Sequence, residues 1–348
     1  MSNPIKIGVV GLGRIGMSVH RKCLLARPEK YEVVAACDLI PERTERYKNE
    51  FGCLTYDSYE EMLKNPDIEV VDIATRSCDH YIHSKMALLA GKSVLVEKPF
   101  CETYEQAKEL VELGSQPAGP RIFVRHNRRF EEGFIKVNEI IDSGILGEVY
   151  EIRLARNSYQ RRDDWQTIKE FGGGQLLNWG PHIVDHSLQF CGGAYESLFT
   201  DIKRVAAVGD AEDHIKMIFK GVNGRIVDME ISGGVVQEVP EYRIYGTRGG
   251  LISEGNTLKL KYLDPDTPLQ DIKANPNTPE FSAAFGNSEV LVWKEETVTL
   301  NPKDQTDVIW DYFYESFRNH KKYPITSHQA MEVVRVLELA KVGTEFVK

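Results

Sequence analysis

The 348-residue sequence has no long apolar run and no excess of basic residues. A helix that crosses a membrane needs about 20 consecutive apolar residues, and none of the apolar runs approaches that length, so no membrane span is predicted. Lys and Arg number 43 against 52 Asp and Glu, which gives a formal net charge of −9. Nucleic acids and anionic membranes bind basic surfaces, so neither is predicted as a partner.

Cysteine is also sparse, with six residues that form no CxxC pair and show no metal-ligand spacing. Several lie in apolar segments, where cysteine behaves as a small hydrophobic side chain. Reduced structural thiols, as in cytosolic proteins, are therefore expected. Because Met1-Ser2-Asn3-Pro4 leads almost directly into a strand, no signal peptide is expected, and the protein is predicted to be cytoplasmic.

The length predicts two domains, because a single core rarely keeps growing beyond about 250–300 residues. From 1 to 124, strands alternate with helices as in an α/β Rossmann domain with a doubly wound parallel sheet. From 125 to 348, successive strand patterns indicate an α+β domain with a large, mainly antiparallel open sheet. Helices predicted over 306–319 and 327–347 are candidates to pack back on the first domain. The predicted strands are Ile5–Val10, Tyr31–Cys37, Val70–Ala74, Ser93–Val96, Arg121–Val124, Val149–Asn157, Ile202–Val208, His214–Phe219, Arg225–Ser232, Glu241–Tyr245, Leu258–Tyr262 and Glu296–Leu300.

The first strand runs into a glycine-rich turn, 11–16, with the sequence GLGRIG, and then into a helix. This order is typical of a dinucleotide-binding fingerprint. Gly11 permits the tight turn, Gly13 lets the backbone approach a pyrophosphate, and Gly16 allows close packing of the helix on the strand. Arg14 and Ile15 lie where the amides of the helix start would hold phosphates. A glycine-rich turn without a ligand is the alternative interpretation.

The second strand argues for the ligand, because it ends in Asp38, about where the fingerprint places an acidic residue. A carboxylate there accepts hydrogen bonds from the ribose hydroxyls and repels a 2′-phosphate. Arg43 lies further on and is placed to stack on adenine. NAD is therefore the predicted cofactor, and NADP is disfavoured.

Further motifs extend over nearly the whole chain. They are 75–87 with His83, Glu97-Lys98-Pro99, Asn127-Arg128-Arg129-Phe130, and the segment 172–185 with the sequence GGGQLLNWGPHIVD. Together with the fingerprint, they resemble the Gfo/Idh/MocA family, the group of glucose–fructose oxidoreductase and inositol dehydrogenase. The resemblance implies a cis peptide before Pro99 and a homodimer or homotetramer formed through the open face of the second sheet. It also implies cofactor contacts at Thr75, His80, Glu97 and Lys98 and a substrate contact at Asn127.

Lys98 and His182 are the candidate catalytic residues. Lys98 ends a strand, so its ammonium should enter the crevice at the carboxyl edge of the sheet and stabilise charge on a substrate oxygen. His182 lies near the start of a helix, where the helix dipole should lower its pKa and favour a neutral base. Such a base takes the hydroxyl proton as hydride leaves the same carbon. A surface lysine and a capping or core histidine are the alternatives, and the resemblance matches His182 with the family's catalytic histidine.

Asn178 stands four residues before His182, where family members commonly carry Asp. Its amide can orient the substrate or His182 but cannot carry a proton, and Asn also suits a helix N-cap. We interpret it as a catalytic-site residue that orients the substrate. His182, Asp185 and His186 share a helix face and suggest a metal site, but no further ligand is obvious, and no metal is predicted.

A loop of polar and aromatic residues follows the first strand of the second domain, and its composition suits a polyol. The arginines in this region offer a site for a carboxylate or phosphate instead, and a solvated surface loop is the third interpretation. The candidate substrate contacts are Lys98, Asn127, Arg156, Tyr159, Trp165, Asn178 and His182.

These residues predict an NAD-dependent oxidoreductase that transfers hydride between a carbohydrate-type hydroxyl, in a sugar, cyclitol or glycoside, and the nicotinamide. One alternative is NAD-assisted glycoside cleavage or elimination without net oxidation. The other is a non-enzymatic NAD-binding regulator, which the presence of both Lys98 and His182 disfavours.

Overall fold

The computed structural model describes residues 3–271, 273–274, 276, 289–301 and 306–347. The first sheet has six strands in the order β3-β2-β1-β4-β5-β6, and every neighbouring pair is parallel. This arrangement confirms the predicted doubly wound sheet. The strands are β1 (Ile5–Val10), β2 (Tyr31–Cys37), β3 (Leu54–Tyr56), β4 (Val70–Ile73), β5 (Ser93–Val96) and β6 (Ile122–Val124).

Apolar clusters cover both faces of this sheet, because its strands carry apolar side chains on both sides. One cluster joins Ile5 and Ile7 of β1 to the first two helices, and the other joins Val94 and Val96 of β5 to the next three. These helices are α1 (Arg21–Leu25), α2 (Pro41–Phe51), α3 (Tyr59–Leu63), α4 (His80–Leu89) and α5 (Tyr104–Leu113). A π-helical turn, Gly16–His20, precedes α1 and ends on a buried histidine.

The second sheet has eight strands in the order β14-β13-β12-β11-β7-β10-β9-β8. Its neighbours are antiparallel except for β7 and β10, which agrees with a mainly antiparallel sheet. The strands are β7 (Val149–Asn157), β8 (Tyr195–Lys203), β9 (His214–Gly221), β10 (Ile226–Ser232), β11 (Tyr242–Gly246), β12 (Gly249–Glu254), β13 (Thr257–Leu263) and β14 (Trp293–Thr299).

One face of this sheet is buried under helices and the other is open. Ile152 and Leu154 of β7 point to the covered face, whereas Arg153, which lies between them, is exposed. The covering helices are α6 (Glu132–Asp142), α7 (Gln175–Asn178) and α8 (Gly180–Phe190). No helix within the described ranges is both long and apolar enough to cross a membrane.

The last two helices, α9 (Ile309–Asn319) and α10 (Ser327–Lys341), return to the first sheet. Trp310 and Phe313 of α9 lie in the same apolar cluster as β1 and α1. Ala330 and Val334 of α10 join the cluster on the other face of the first sheet. The neighbouring residues of α10, Val333 and Leu337, belong to the core of the second sheet, so this helix links the two cores.

Several boundaries were predicted wrongly. The strand predicted over Ile202–Val208 is β8, Tyr195–Lys203, and residues 204–208 form a loop. An edge strand with one exposed side gives a weak pattern, while Val205 and Val208 are apolar but exposed. The sequence analysis missed β3 and β12, and α10 ends at Lys341 rather than at Val347.

Candidate active site

The three glycines of the glycine-rich turn serve two different purposes: some are needed for internal packing, and one leaves space for a ligand. Gly11 has a φ of 87°, and a Cβ there would lie 2.6 Å from the Ala74 carbonyl carbon. A Cβ on Gly16 would lie 2.3 Å from the Gly11 oxygen, whereas a Cβ on Gly13 would meet no protein atom within 4 Å. Gly11 and Gly16 are therefore needed by the fold. Gly13 borders open space, which fits the close approach of a dinucleotide pyrophosphate.

Asp38 anchors this turn. Its carboxylate accepts hydrogen bonds from the Leu12 amide at 2.7 Å and the Ile40 amide at 2.9 Å. A guanidinium nitrogen of Arg43 lies 3.4 Å from the same carboxylate. The side chain of Arg43 is 40% exposed, so it can turn toward a ligand. The arrangement suits a ribose hydroxyl at Asp38 and leaves a cation beside it.

The loops that follow β4 and β5 are joined by the ring of His80, which is buried. Its Nδ1 lies 2.6 Å from the Pro99 oxygen and its Nε2 lies 3.3 Å from the Thr75 oxygen. The Thr75 hydroxyl lies 3.1 Å from the Nδ1 of His83. His80 is therefore placed to hold two loops together, and the loops themselves border the space above the turn.

Glu97 lies in a buried group of charges beneath these loops. His20 joins two carboxylates, with its Nδ1 2.7 Å from Asp72 and its Nε2 2.9 Å from Glu97. Burial alone would raise the pKa of Glu97, but Arg125 and His20 hold it below its usual range. Burial opposes a charged His20, yet Asp72 and Glu97 raise its pKa above the usual value. Glu97 is therefore a fixed carboxylate, which also accepts a hydrogen bond from the Lys98 amide at 3.1 Å.

Lys98 reaches from this network to the second domain. Its Nζ donates a hydrogen bond to the Asn178 main-chain oxygen at 3.1 Å, and the peptide before Pro99 is cis, as the resemblance implied. Burial lowers the pKa of Lys98, while Glu97 opposes that effect. The ammonium thus lies at the junction of the two domains, at the carboxyl edge of the parallel sheet.

His182 is the third residue of α8 and is buried. Among the described residues, its Nδ1 has no hydrogen-bonding partner, and its ring meets the Trp179 ring edge to face, with centroids 5.8 Å apart. Burial, followed by the charge of Lys98, lowers the pKa of His182 well below the usual value. A neutral base was predicted, but burial rather than the helix dipole is the main cause.

Asn178 is held on both sides of its amide. Its Oδ1 accepts a hydrogen bond from the Gln166 side chain at 3.3 Å, and its Nδ2 donates to the Gln175 side chain at 3.4 Å. The alternative that Asn178 caps α8 is wrong, because Trp179 occupies the N-cap position. The main-chain oxygen of Asn178 instead positions Lys98.

The remaining predicted substrate contacts lie in different parts of the second domain and differ in burial. Asn127 is half-buried just after β6, and Trp165 starts a short helical turn in the loop after β7. Arg156 donates a hydrogen bond to Glu131 at 3.1 Å, and its guanidinium carbon lies 4.9 Å from the Trp179 ring centroid. Tyr159 is 56% exposed, and its backbone forms a bridge with Gly234.

The loop after β7 also lies against the glycine-rich turn. Arg14 donates a hydrogen bond to Asp164 at 3.0 Å, and Arg162 donates to the same carboxylate oxygen at 2.6 Å. The adjacent residue Ile15 is partly exposed at the start of the helical segment. The predicted cofactor turn and the predicted substrate loop are thus neighbours in space.

His126 is a candidate site residue that the sequence analysis missed. It is 1% exposed, and neither ring nitrogen has a hydrogen-bonding partner within the described part of the chain. Val96 pairs with Val124 in the parallel sheet, so the chain direction brings Lys98 and His126 to adjacent strand ends. The signal was available, because His126 directly precedes the Asn127-Arg128-Arg129-Phe130 motif.

Two of the three possible metal ligands, Asp185 and His186, are engaged by protein groups. Asp185 accepts hydrogen bonds from Arg129 at 2.7 Å and 2.5 Å. The Nε2 of His186 lies 3.0 Å from the Arg128 oxygen, and its ring stacks on Phe134. Within the described residues, no group of three or more His, Cys, Asp or Glu side chains is arranged to hold a metal ion.

Buried neutral histidines predict a loss of stability in mild acid. Burial lowers the folded-state pKa of His126 and His182 below 6.5, and that of His186 to about 3. Below pH 6.5 the unfolded chain takes up protons that the folded chain does not, so the free energy of unfolding should fall as the pH drops toward 3. Each such histidine contributes up to about 1.4 kcal/mol per pH unit. The raised pKa of His20 stabilises the fold fully below 6.5 and does not offset this loss.

Urea unfolding between pH 6.5 and 5 tests this expectation, because most carboxylates stay ionised there. His126→Phe should reduce the slope by about one proton relative to the parent chain. An unchanged slope in that variant would show that His126 is protonated in the folded state.

Two family models match the chain. Residues 5–124 match an oxidoreductase family with an NAD-binding Rossmann fold, and residues 134–252 match the GFO/IDH/MocA C-terminal domain. The chain belongs to the Gfo/Idh/MocA oxidoreductase family. Its first domain is therefore a nicotinamide dinucleotide-binding domain, and the family resemblance noted from the sequence is confirmed.

Members of this family resemble the chain over different lengths. It is 25% identical over 342 residues to the scyllo-inositol 2-dehydrogenase (NADP(+)) IolW of Bacillus subtilis, covering 97% of this chain and 92% of that one. It is 29% identical over 195 residues to the D-glucoside 3-dehydrogenase of Escherichia coli, covering 55% of each. A solved oxidoreductase structure from Bacillus cereus has a TM-score of 0.81 at 21% identity and covers 98% of both chains, which shows a shared fold.

Proposed function

We propose that this Gfo/Idh/MocA protein catalyses the reversible oxidation of a hydroxyl group in a sugar, cyclitol or glycoside, with NAD as its cofactor. The observation that carries the proposal is the presence of a half-buried Lys98 ammonium and a neutral, buried His182 at the carboxyl edge of the dinucleotide-binding sheet. The similarity to the scyllo-inositol and D-glucoside dehydrogenases supports the substrate class.

In this proposal Lys98 and His182 have different roles in the removal of the hydroxyl proton. Lys98 donates one of its three N–H groups to the Asn178 main-chain oxygen. The other two donate to the substrate oxygen and stabilise the negative charge that develops there. His182 accepts the hydroxyl proton, because its lowered pKa keeps the ring neutral near pH 7. When bound, the dinucleotide supplies the hydride acceptor. Asn178 carries no proton and acts by holding Lys98.

Dinucleotide reduction tests the proposal directly. The purified chain should reduce NAD⁺ with at least one member of a panel of cyclitols, free hexoses and methyl glycosides. Dinucleotide binding is measured in parallel, by quenching of protein fluorescence. Clear binding without reduction by any member of the panel would contradict an oxidoreductase role.

Asp38 should set the choice between the two nicotinamide dinucleotides. Asp38→Asn keeps an oxygen for the Leu12 amide but removes the charge that repels a 2′-phosphate. Because Arg43 is then free to pair with that phosphate, the ratio of NADP⁺ to NAD⁺ affinity should rise at least about tenfold, or ~1.4 kcal/mol. Asp38→Asn combined with Arg43→Ala should lose the gain, and Arg46→Ala on the same helix serves as the control. An unchanged ratio of NADP⁺ to NAD⁺ affinity in Asp38→Asn would show that Asp38 does not contact the cofactor.

A further inference from the structure

The second domain contains a cleft of about 370 Å³ whose lining residues do not include Lys98 or His182. It opens between the start of α6 and the ends of strands β7 and β11–β14 of the second sheet. Its volume is at the lower end of the range for small-molecule sites, about 300–1,000 Å³. Residues that line it include Arg128, Glu131, Gly133, Arg156, Glu241 and Tyr242.

Trp179 connects this cleft with the catalytic group. The guanidinium carbons of Arg128 and Arg156, which line the cleft, lie 4.4 Å and 4.9 Å from the Trp179 ring centroid. The same ring meets His182 edge to face at 5.8 Å. Trp179 therefore contacts both His182 and two residues that line the cleft.

The charges in the cleft disfavour an anionic ligand. Its lining holds three carboxylates, Glu131, Glu132 and Glu241, against two guanidiniums. Arg156 is already paired with Glu131 at 3.1 Å and with Glu241 at 2.7 Å. Arg156 is thus not free to bind a carboxylate or phosphate, which the sequence analysis had left open.

The remaining surface of the cleft suits hydroxyl groups next to C–H faces. Carboxylates and the side chains of Ser253 and Asn256 provide hydrogen-bonding atoms, while Tyr242, Leu258 and Leu300 provide apolar surface. Sugars present both kinds of surface and fit a volume of this size.

We propose that this cleft binds a second, unoxidised sugar unit, so that the substrate is a neutral glycoside longer than one sugar. The proposal rests on the proposed function, because the first unit is the one oxidised beside His182. The second unit contributes binding free energy from outside the reacting centre, which raises kcat/KM for the longer substrate.

Gly133 allows the cleft to be filled without touching Lys98 or His182. It lies in the first turn of α6, and an added Cβ would lie 3.6 Å from Leu300 and Tyr242, an ordinary contact distance. Gly133→Leu should therefore fold and occupy the cleft. Gly133→Ala adds only the tolerated Cβ and is the matched control.

The experiment compares methyl glucoside with cellobiose, maltose and lactose, both as substrates and by calorimetric binding to the NADH-loaded protein. At least one disaccharide should exceed methyl glucoside tenfold or more in kcat/KM or affinity. Gly133→Leu should remove that advantage and leave methyl glucoside within threefold, while Gly133→Ala changes neither. The proposal would be overturned if no disaccharide exceeded methyl glucoside in either kcat/KM or affinity. It would also be overturned if Gly133→Leu weakened the reaction with methyl glucoside as much as the reaction with the disaccharide. If the disaccharide binds, Gly133→Leu weakens that binding, and no NADH is formed, the proposed role of the cleft would stand and the oxidoreductase function would be rejected.

Discussion

His182→Ala is expected to lower kcat by at least about 10²-fold while the chain remains folded, because removal of a positioned general base typically costs 10²–10⁴-fold. The ring is buried, and its Nδ1 makes no hydrogen bond among the described residues, so its loss removes little from the protein network. Steady-state rates with the best polyol of the panel, together with the melting temperature, provide the measurement. The pH profile of kcat/KM should also lose the limb that reports the base.

Lys98→Met is the companion change, since it keeps the length of the side chain and removes the ammonium. The hydrogen bond to the Asn178 oxygen is lost with it, so we expect a similar fall in kcat. His328→Gln, an exposed histidine on α10, controls for loss of a histidine as such. If either active-site variant retained more than a tenth of the parent kcat, the assigned role of that residue would be refuted.

The second large effect is expected at the glycine-rich turn, where two similar substitutions should have different consequences. Gly13→Ala meets no protein atom within 4 Å, so the melting temperature should stay at the parent value. The new methyl group instead occupies the space of the pyrophosphate, and the Kd for dinucleotide should rise at least about tenfold, or ~1.4 kcal/mol.

Gly16→Ala should damage the fold itself, because its Cβ would lie 2.3 Å from the Gly11 oxygen. Overpacking of this kind costs about 1–3 kcal/mol, and the melting temperature should fall by several degrees. Calorimetric unfolding and dinucleotide titration of both variants make the comparison. A Gly13→Ala protein that binds dinucleotide as tightly as the parent would show that the pyrophosphate lies elsewhere.

Strands and helices of the first domain were predictable because their signals are local. Gly11 marks the end of β1, and Gly91 follows the end of α4. The buried strands are visible in the sequence as short apolar runs. The missed strands lack such marks, since β3 has only three residues and β12 begins with two glycines. The bounds of β8 were misjudged because polar side chains interrupt its pattern on the exposed face of an edge strand.

The site was less accessible to sequence reasoning, because its geometry joins distant segments. The motifs identified Lys98 and His182 as candidates, but nothing near Asn178 in the sequence reveals that its main-chain oxygen holds Lys98. Similarly, the partners of Arg156 lie 25 and 85 positions away, at Glu131 and Glu241. Pairings of that kind depend on the register of the second sheet, which a single sequence does not specify.

The return of α9 to the first sheet has a consequence for biosynthesis. Trp310 and Phe313 complete the apolar layer over β1 and β2, yet they follow those strands by nearly 300 residues in the chain. Domains usually fold from the amino terminus as they leave the ribosome, but here the dinucleotide-binding half remains without part of its core until residues 310–313 have been synthesised. Folding of the two halves is thereby tied to a single late event, so a nascent chain stalled before α9 would expose apolar surface and depend on chaperones.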